Sequence, residues 1–353
     1  MKIPGILLGL ILVFLFGACE TDPDIYIPGK PIPVIYAVFD DHETTHYILI
    51  TKTFGAQKSP ADFGFNHDSL YWDSLDIEVS LKEKFTNSWI HIKPEKVIGT
   101  NKDSGFFLYP GNEYYKFDRV IMDTPAHWEY PPVYSIDSIT IRVSIPGYDD
   151  AFCSHKRIDS IRIVSPRYDQ KYLFLAPNSP LLFNWDWFGN GPQQDPNIRP
   201  HAWNEIDVNF EIIEELEDGS RSKWITIQNT LYLKEHEKYR QMNITYEEFI
   251  RELLLQLEPD PKVIRRKLGI VKMHIAGGDE PMKNYMKFYF GHSDYNTLSY
   301  TNIQNAFGFF GTSTHYYKDS MRFDYETRQI LVNENRLKKI KLSLWTNPQA
   351  EGK

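Results

Sequence analysis

The sequence predicts a mostly β fold: an N-terminal Ig-like β-sandwich followed by a second β-rich domain carrying one amphipathic helix. Three observations lead there. The 353-residue chain holds 22 Tyr, 22 Phe and 8 Trp, and aromatic and β-branched side chains suit the pleated, half-buried surface of a sheet. Apolar and polar residues alternate along several short runs, the period of a strand with one buried face. Clusters of Gly, Pro, Asn and Asp separate those runs, as turns separate the strands of a sandwich.

The elements follow in order. Val34–Phe39 and His46–Phe54 read as a hairpin around the polar turn Asp40–Thr45. Residues 55–74 read as loop. Leu75–Leu81 alternates without a break, Ser88–Ile92 is a weaker strand, and Gly105–Tyr109 and Tyr114–Val120 flank a Pro-Gly-Asn turn. Ile139, Ile141, Val143 and Ile145 alternate with polar residues up to Pro146-Gly147. Residues 34–150 are thus expected to form the sandwich, and residues 157–346 the second domain.

In the second domain, Ile158–Ile163, Leu181–Trp187, Ile206–Ile212, Lys223–Leu233, Leu268–Ala276 and Tyr285–Phe290 read as strands. Residues 189–200 read as a long loop. The helix is expected over residues 245–257. Thr245 and Glu248 have capping-box spacing, Phe249, Ile250, Leu253, Leu254 and Leu257 share one face, and Pro259 and Pro261 end it. Leu337–Trp345 reads as a closing strand with a basic outer face.

The N-terminus indicates where the chain works. Lys2 precedes an apolar stretch from Ile6 to Phe16, which is shorter than the roughly 20 apolar residues a membrane-spanning helix needs. It has the form of a signal-peptide core. Leu15-Phe16-Gly17-Ala18-Cys19 resembles a bacterial lipobox, with Phe16 where Leu is usual. Residues 1–18 are therefore expected to be removed and Cys19 lipidated. Residues 19–33 then form a tether that five prolines and glycines keep extended. Glu20, Asp22 and Asp24 behind that cysteine resemble the surface-export signal of Bacteroidota lipoproteins.

The net charge of −8 argues against nucleic acid as a partner, since nucleic acid recruits basic stripes. Beyond Cys19 only Cys153 remains, which rules out an intrachain disulfide in the mature chain. Cys153, next to Phe152, is expected to be a buried small hydrophobe rather than a nucleophile.

His42-Glu43-Thr44-Thr45-His46 matches H-E-x-x-H. In zinc proteases that spacing works because a helix sets both imidazoles on one face. Here it falls on a turn between two strands, so zinc-protease chemistry is not expected. Cation binding by Asp40, Asp41, His42 and Glu43 has no further support in the sequence, and no metal or cofactor is expected. Asn66–Asp76 is acidic but lacks the Gly and terminal Glu of an EF-hand loop. Gly277-Gly278-Asp279 reads as a turn, without a Walker lysine after it. No catalytic constellation emerges, and the chain is not expected to be an enzyme. Asp-Ser followed by an aliphatic residue or Met recurs at Ser69, Ser74, Ser138, Ser160 and Ser320 and resembles the O-glycosylation signal of exported Bacteroidota proteins; it equally marks strand starts. Trp185, Trp187 and Trp203 are candidates for capturing a ligand if exposed, core packing being the commoner use of the first two.

Several stretches together resemble a family of Bacteroidota outer-membrane lipoproteins whose genes often lie beside TonB-dependent receptors. They are the lipobox, the hairpin Pro33–Phe54, Leu75–Leu81 with Gly111–Val120, and the run Tyr300–Gly311. That run looks like the family's Asn-Ile-x-Asn-Gly-x-Gly-x-Phe-Gly ending, with Ala306 where Gly is usual. The resemblance implies an outer-membrane address by lipid anchor and an outer-membrane β-barrel protein as partner. It carries no catalytic residues. The favoured expectation is a non-catalytic accessory or binding subunit of an outer-membrane transporter or assembly complex. The alternative is capture of a glycan or peptide nutrient.

Overall fold

The computed structural model describes residues 30–53, 67–84, 86–99, 111–119, 136–187, 201–232, 240–290 and 300–344. Cys19, the tether up to residue 29, the strand expected at Gly105–Tyr109 and the loop 189–200 lie outside them. The described residues are mostly β. Strands β1 (Pro33–Asp40) and β2 (Thr45–Lys52) form the expected hairpin, with Ala37 opposite Ile48. One helical turn, α1 (His67–Leu70), precedes β3 (Asp76–Glu83), β4 (Trp89–Ile92), β5 (Glu95–Gly99), β6 (Asn112–Asp118), β7 (Ile136–Ser144) and β8 (Ala151–Lys156).

Strands β1, β2 and β6, with β5 at their edge, face the four-stranded sheet β4-β3-β7-β8 across a core to which β5 adds no side chain. The alternation read from Leu75–Leu81 and Ile139–Ile145 explains it: Ile77, Val79, Leu81, Ile139, Ile141 and Val143 all lie inside. The result is sandwich-like. It is not built from residues 34–150 alone, because Ile303, Ala306 and Phe310 complete its core.

The rest of the chain forms β9 (Ile161–Ser165), β10 (Tyr172–Leu173), β11 (Leu181–Trp187), β12 (Trp203–Leu216), β13 (Gly219–Tyr232), β14 (Arg240–Ile244), α2 (Tyr246–Gln256), β15 (Val263–Gly278), α3 (Glu280–Phe290), β16 (Phe307–Phe323) and α4 (Tyr325–Asn333). A 3₁₀ turn, Asn335–Ile340, follows. The large sheet runs β13-β12-β15-β16-β1-β2-β6-β5. Its hinge is β16. The first half of this strand pairs in parallel with β1, setting Phe310 beside Ala37, while its second half, from Ser313 to Arg322, pairs antiparallel with β15. One continuous sheet therefore serves both cores. The second core lies between β12, β13, β15 and β16 on one side and β9, β11, β14 and α2 on the other.

Helix α2 forms where the capping box predicts. The Thr245 side chain accepts from the Glu248 N–H at 3.2 Å, and Phe249, Ile250, Leu253 and Leu257 are buried. Each such side chain contributes about 1.5–3 kcal/mol by leaving water. The helix also shields the exposed edge of β13. Gln256 pairs through its amide with both backbone groups of Thr226, at 3.4 and 3.3 Å. An unpaired edge strand invites association, and this contact occupies its middle.

Two expected strands are corrected. Tyr285–Phe290 belongs to α3, despite its aromatic residues. Asp279 caps that helix, its carboxylate accepting from the Met282 N–H at 2.9 Å, and Pro281 sits in the first turn, where its missing N–H costs nothing. The closing strand expected at Leu337–Trp345 is likewise corrected over residues 337–344, the part that is described. The 3₁₀ turn begins where Glu334 accepts from the Arg336 N–H, and it ends at Lys341, whose φ is +58°. Leu337 and Ile340 plug the second core, and a single bridge joins Leu342 to Arg266.

Candidate functional site

Candidate residues read from the sequence occupy varied positions. Trp185 is wholly buried in the second core, and Trp203 is 4% exposed. Neither can capture a ligand at the surface, which corrects that expectation. The inward alternation of β11 and β12 carries both inside. Trp187 ends β11, and its side chain lies outside the described residues. Ser138 and Ser160 are buried, while Ser74 and Ser320 are exposed, so burial separates the five Asp-Ser sites.

Cys153 is buried, and its thiol contacts the Asn302 carbonyl at 3.1 Å. Burial, with the Asp279 carboxyl adding to it, pushes this thiol up to about 12. The thiolate is the reactive form. Cys153 is expected to react with a thiol reagent at pH 8 at least about 100-fold more slowly in the folded protein than in denaturant. Comparable rates in a disulfide-exchange colour assay would contradict its placement.

The H-E-x-x-H stretch divides. His46 turns into the first core, against Phe39 and Phe117 at ring distances of 5.2 and 5.1 Å, and its Nε2 meets the Arg119 carbonyl at 3.0 Å. Burial lowers its pKa below the ordinary histidine range. His42 stays on the turn, where its Nδ1 lies 2.7 Å from the Asp41 carboxylate. The two imidazoles share no site, as the turn reading requires.

His42 instead meets residues from far along the chain. The parallel register of β1 and β16 sets Asp40 beside Ser313, and the next residue on that face of β16 is His315. Asp40 Oδ2 accepts from Ser313 Oγ at 2.8 Å and lies 2.6 Å from His315 Nε2. His315 Nδ1 is 2.8 Å from His274 Nε2 on β15, with the rings stacked at 5.0 Å. His274 Nδ1 lies 3.6 Å from Asp207 on β12. A row Asp207–His274–His315–Asp40 thus crosses four adjacent strands, with His42 and Asp41 at its end.

Burial alone would raise the Asp40 carboxyl. The hydrogen bond and charge of His315 outweigh that and hold it below the usual carboxylate range. Burial would lower His42, but Asp41 and Asp40 raise it. Burial and the neighbouring His315 lower His274. Asp41 is itself buried and anchored from behind, by Ser160 Oγ at 3.2 Å and Arg157 at 3.6 Å. The sequence singled out Asp40, Asp41 and His42. It offered no signal for Asp207, His274 and His315, because cross-strand register across the large sheet is what joins them.

A second titratable cluster lies where α3 leaves the sheet. His201 is buried and neutral. Its Nδ1 accepts from Asn204 at 3.2 Å, so its Nε2–H faces the Asp159 carbonyl. Burial, with the charges of Arg240 and Arg157, lowers it to about 3. Nearby Asp279 is also buried. Burial raises its carboxyl to about 6 against the hydrogen bonds it accepts from Met282 and Thr312. The two act on stability with opposite signs. His201 stabilises the fold above its unfolded value of 6.5, and that contribution is lost as pH falls toward 3. Protonated Asp279 stabilises the fold below its unfolded value of 3.8, and that contribution is lost as pH rises through about 6. Their slopes, about 1.4 kcal/mol per pH unit each, offset one another between roughly pH 4 and 6. Asp279→Asn is expected to remove one slope, so that between pH 6 and pH 4 the variant loses about 2–3 kcal/mol more stability than the wild type does. Urea unfolding at pH 4, 5 and 6 measures it. Parallel pH profiles would contradict the assignment.

Among the described residues no helix is long and apolar enough to cross a membrane. No known family model and no curated protein matches this chain.

Proposed function

We propose that this protein is a non-catalytic, lipid-anchored lipoprotein of the outer membrane, exposed at the cell surface, and that it serves as an accessory or binding subunit of an outer-membrane transporter or assembly complex. One observation carries the reading. The outward face of the large sheet carries large apolar side chains on its central strands: Val38 of β1 is 40% exposed and Tyr47 of β2 is 52% exposed. Extending the register that pairs Ala37 with Ile48 puts these two side by side. Tyr114 of β6 adds its ring 6.2 Å from that of Tyr47. A flat apolar patch of this kind on the open face of a sheet suits a protein partner. β1 is also the first strand after the tether, and Ile32 just before it is 39% exposed.

A groove favours a second reading, glycan or peptide capture. It has a volume of about 700 Å³ and is lined by Tyr168, Gln170, Lys171, Tyr172 and Arg322. Tyr168 and Tyr172 are 45% and 52% exposed, and aromatic faces flanked by polar groups suit sugar rings.

The test is a pull-down of the full lipidated chain from gently solubilised membranes, beside Tyr47→Glu and Cys19→Ala variants. A stoichiometric β-barrel protein is expected with the wild type and not with Tyr47→Glu. Cys19→Ala is expected to leave the membrane fraction. Recovery of the wild type alone, under conditions that preserve other membrane complexes, would overturn the accessory reading and favour the groove.

A further inference from the structure

We propose that Asp40, Asp41, His42 and His315 form a binding site for one divalent transition-metal cation of the zinc class. This goes beyond the binding role above and does not depend on it. The site differs from the one H-E-x-x-H would build, since His46 is turned into the core and His315 replaces it.

Three features of the geometry point to a cation. The first is the donor set. One ligand atom from each of Asp40, Asp41 and His42 can be chosen so that all lie within 4.8 Å of one another, and His315 Nε2 approaches Asp40 at 2.6 Å. Bonds of about 2.0–2.2 Å place the ligand atoms of a tetrahedral ion roughly 3.4 Å apart, so Asp40, Asp41 and His42 need small rotations, while His315, whose ring centroid stands 6.5 Å from that of His42, turns toward them to complete the set. Two imidazole nitrogens with two carboxylates suit zinc-like ions better than magnesium or calcium, which prefer oxygen alone.

The second is the backing. Ligating imidazoles characteristically donate their other N–H to a fixed acceptor. His315 Nδ1 has His274 Nε2 at 2.8 Å, and His274 in turn faces Asp207. Asp41 is held by Ser160 and Arg157. Asp40 Oδ1 accepts from the His42 backbone N–H at 2.8 Å, which folds the turn back so that the His42 ring stands over the carboxylates.

The third is a hydrogen-bond inventory. His315 Nδ1 lies 2.8 Å from His274 Nε2, and its Nε2 lies 2.6 Å from Asp40 Oδ2. A cation held at Nε2 leaves the Nδ1–H to donate to His274. Access is open, with His42 and His315 side chains 32% and 26% exposed.

The competing account is that these are ion pairs only. Titration of ZnCl₂ into the full, chelator-stripped chain by calorimetry separates the two. One zinc per chain is expected. His315→Gln and His42→Gln are each expected to weaken binding by at least about tenfold, and His274→Gln by a similar factor through loss of orientation. His91→Gln, exposed and on β4 away from the site, is expected to bind as the wild type does. Cobalt in place of zinc is expected to give the strong visible absorption of a four-coordinate site, lost in His315→Gln. Absence of stoichiometric uptake, or unchanged affinity in folded His315→Gln and His42→Gln, overturns the proposal. Should those variants fail to fold, the wild type decides alone: zinc is expected to raise its Tm by several degrees, and no shift overturns the site.

Discussion

Gly308→Ala is expected to destabilise the protein by about 4 kcal/mol or more, enough to prevent accumulation of folded chain. Gly308 has φ of +108°, a region in which L side chains are strained. Space is a further obstacle. A Cβ there would stand 2.0 Å from the Ile35 carbonyl oxygen and 2.8 Å from its carbon and nitrogen. These are backbone atoms of the paired strand, so no rotamer change relieves the clash. The pair Ile35–Gly308 lies at the start of the parallel β1–β16 ladder. Forcing it open also displaces Phe310, which is fully buried in the first core. Circular dichroism and denaturant unfolding of the purified variant measure the loss. An effect below about 1 kcal/mol would mean that β1 and β16 do not pair in this register.

Arg266 is expected to matter almost as much. Its guanidinium is buried, with Glu214 at 2.7 Å, the Ile340 carbonyl at 2.8 Å and the Glu258 carbonyl at 2.9 Å. Its backbone N–H and C=O bond Lys341 and Ser343 at 2.9 Å each. One residue thus fastens the 3₁₀ turn and the end of α2 to β15. Burial would raise the Glu214 carboxyl, but Arg221 and Arg266 together hold it below the usual range. Arg266→Met leaves Glu214 charged and buried with Arg221 as its one remaining guanidinium, and it strands two carbonyls. The expected cost is about 3–5 kcal/mol. Removing both charges in Arg266→Met with Glu214→Leu is expected to recover most of it, because an apolar pair avoids the uncompensated ion. Urea unfolding of the single and double variants tests this. A double variant no more stable than the single would show that the carbonyl contacts, rather than the ion pair, carry the effect.

The run Tyr300–Gly311 shows why a motif could be seen in the sequence before its purpose could. Its residues stand out as Asn, Gly and Phe at close spacing. In the fold, Asn302 acts as a substitute strand. Its side-chain oxygen accepts from the Phe310 N–H at 2.9 Å, and its amide nitrogen donates to the Phe310 carbonyl at 2.6 Å. Thr301 Oγ bonds the Ala306 carbonyl at 3.1 Å, closing the loop between them. Gly308 then admits β1. The motif prepares β16 to pair with β1, a strand from the opposite end of the described chain.

What the sequence determined by itself is local. Period-two alternation placed most strands and chose which side chains face inward, because adjacent residues of a strand point to opposite faces. Capping chemistry placed α2, since Thr245 and Glu248 lie within one helical turn. Turn context was enough to rule out a helical metal site for His42 and His46. Local signals misread α3, where strand-favouring Tyr and Phe are overruled by the Asp279 cap, and the 3₁₀ turn, where Leu337 and Ile340 are drawn into the core. Tertiary structure alone decided the rest. The parallel pairing of β1 with β16 unites the two cores in one sheet, and it sets His315 beside Asp40 and His42. Register between strands distant in sequence depends on the summed packing of both faces, and no short stretch of the chain encodes it.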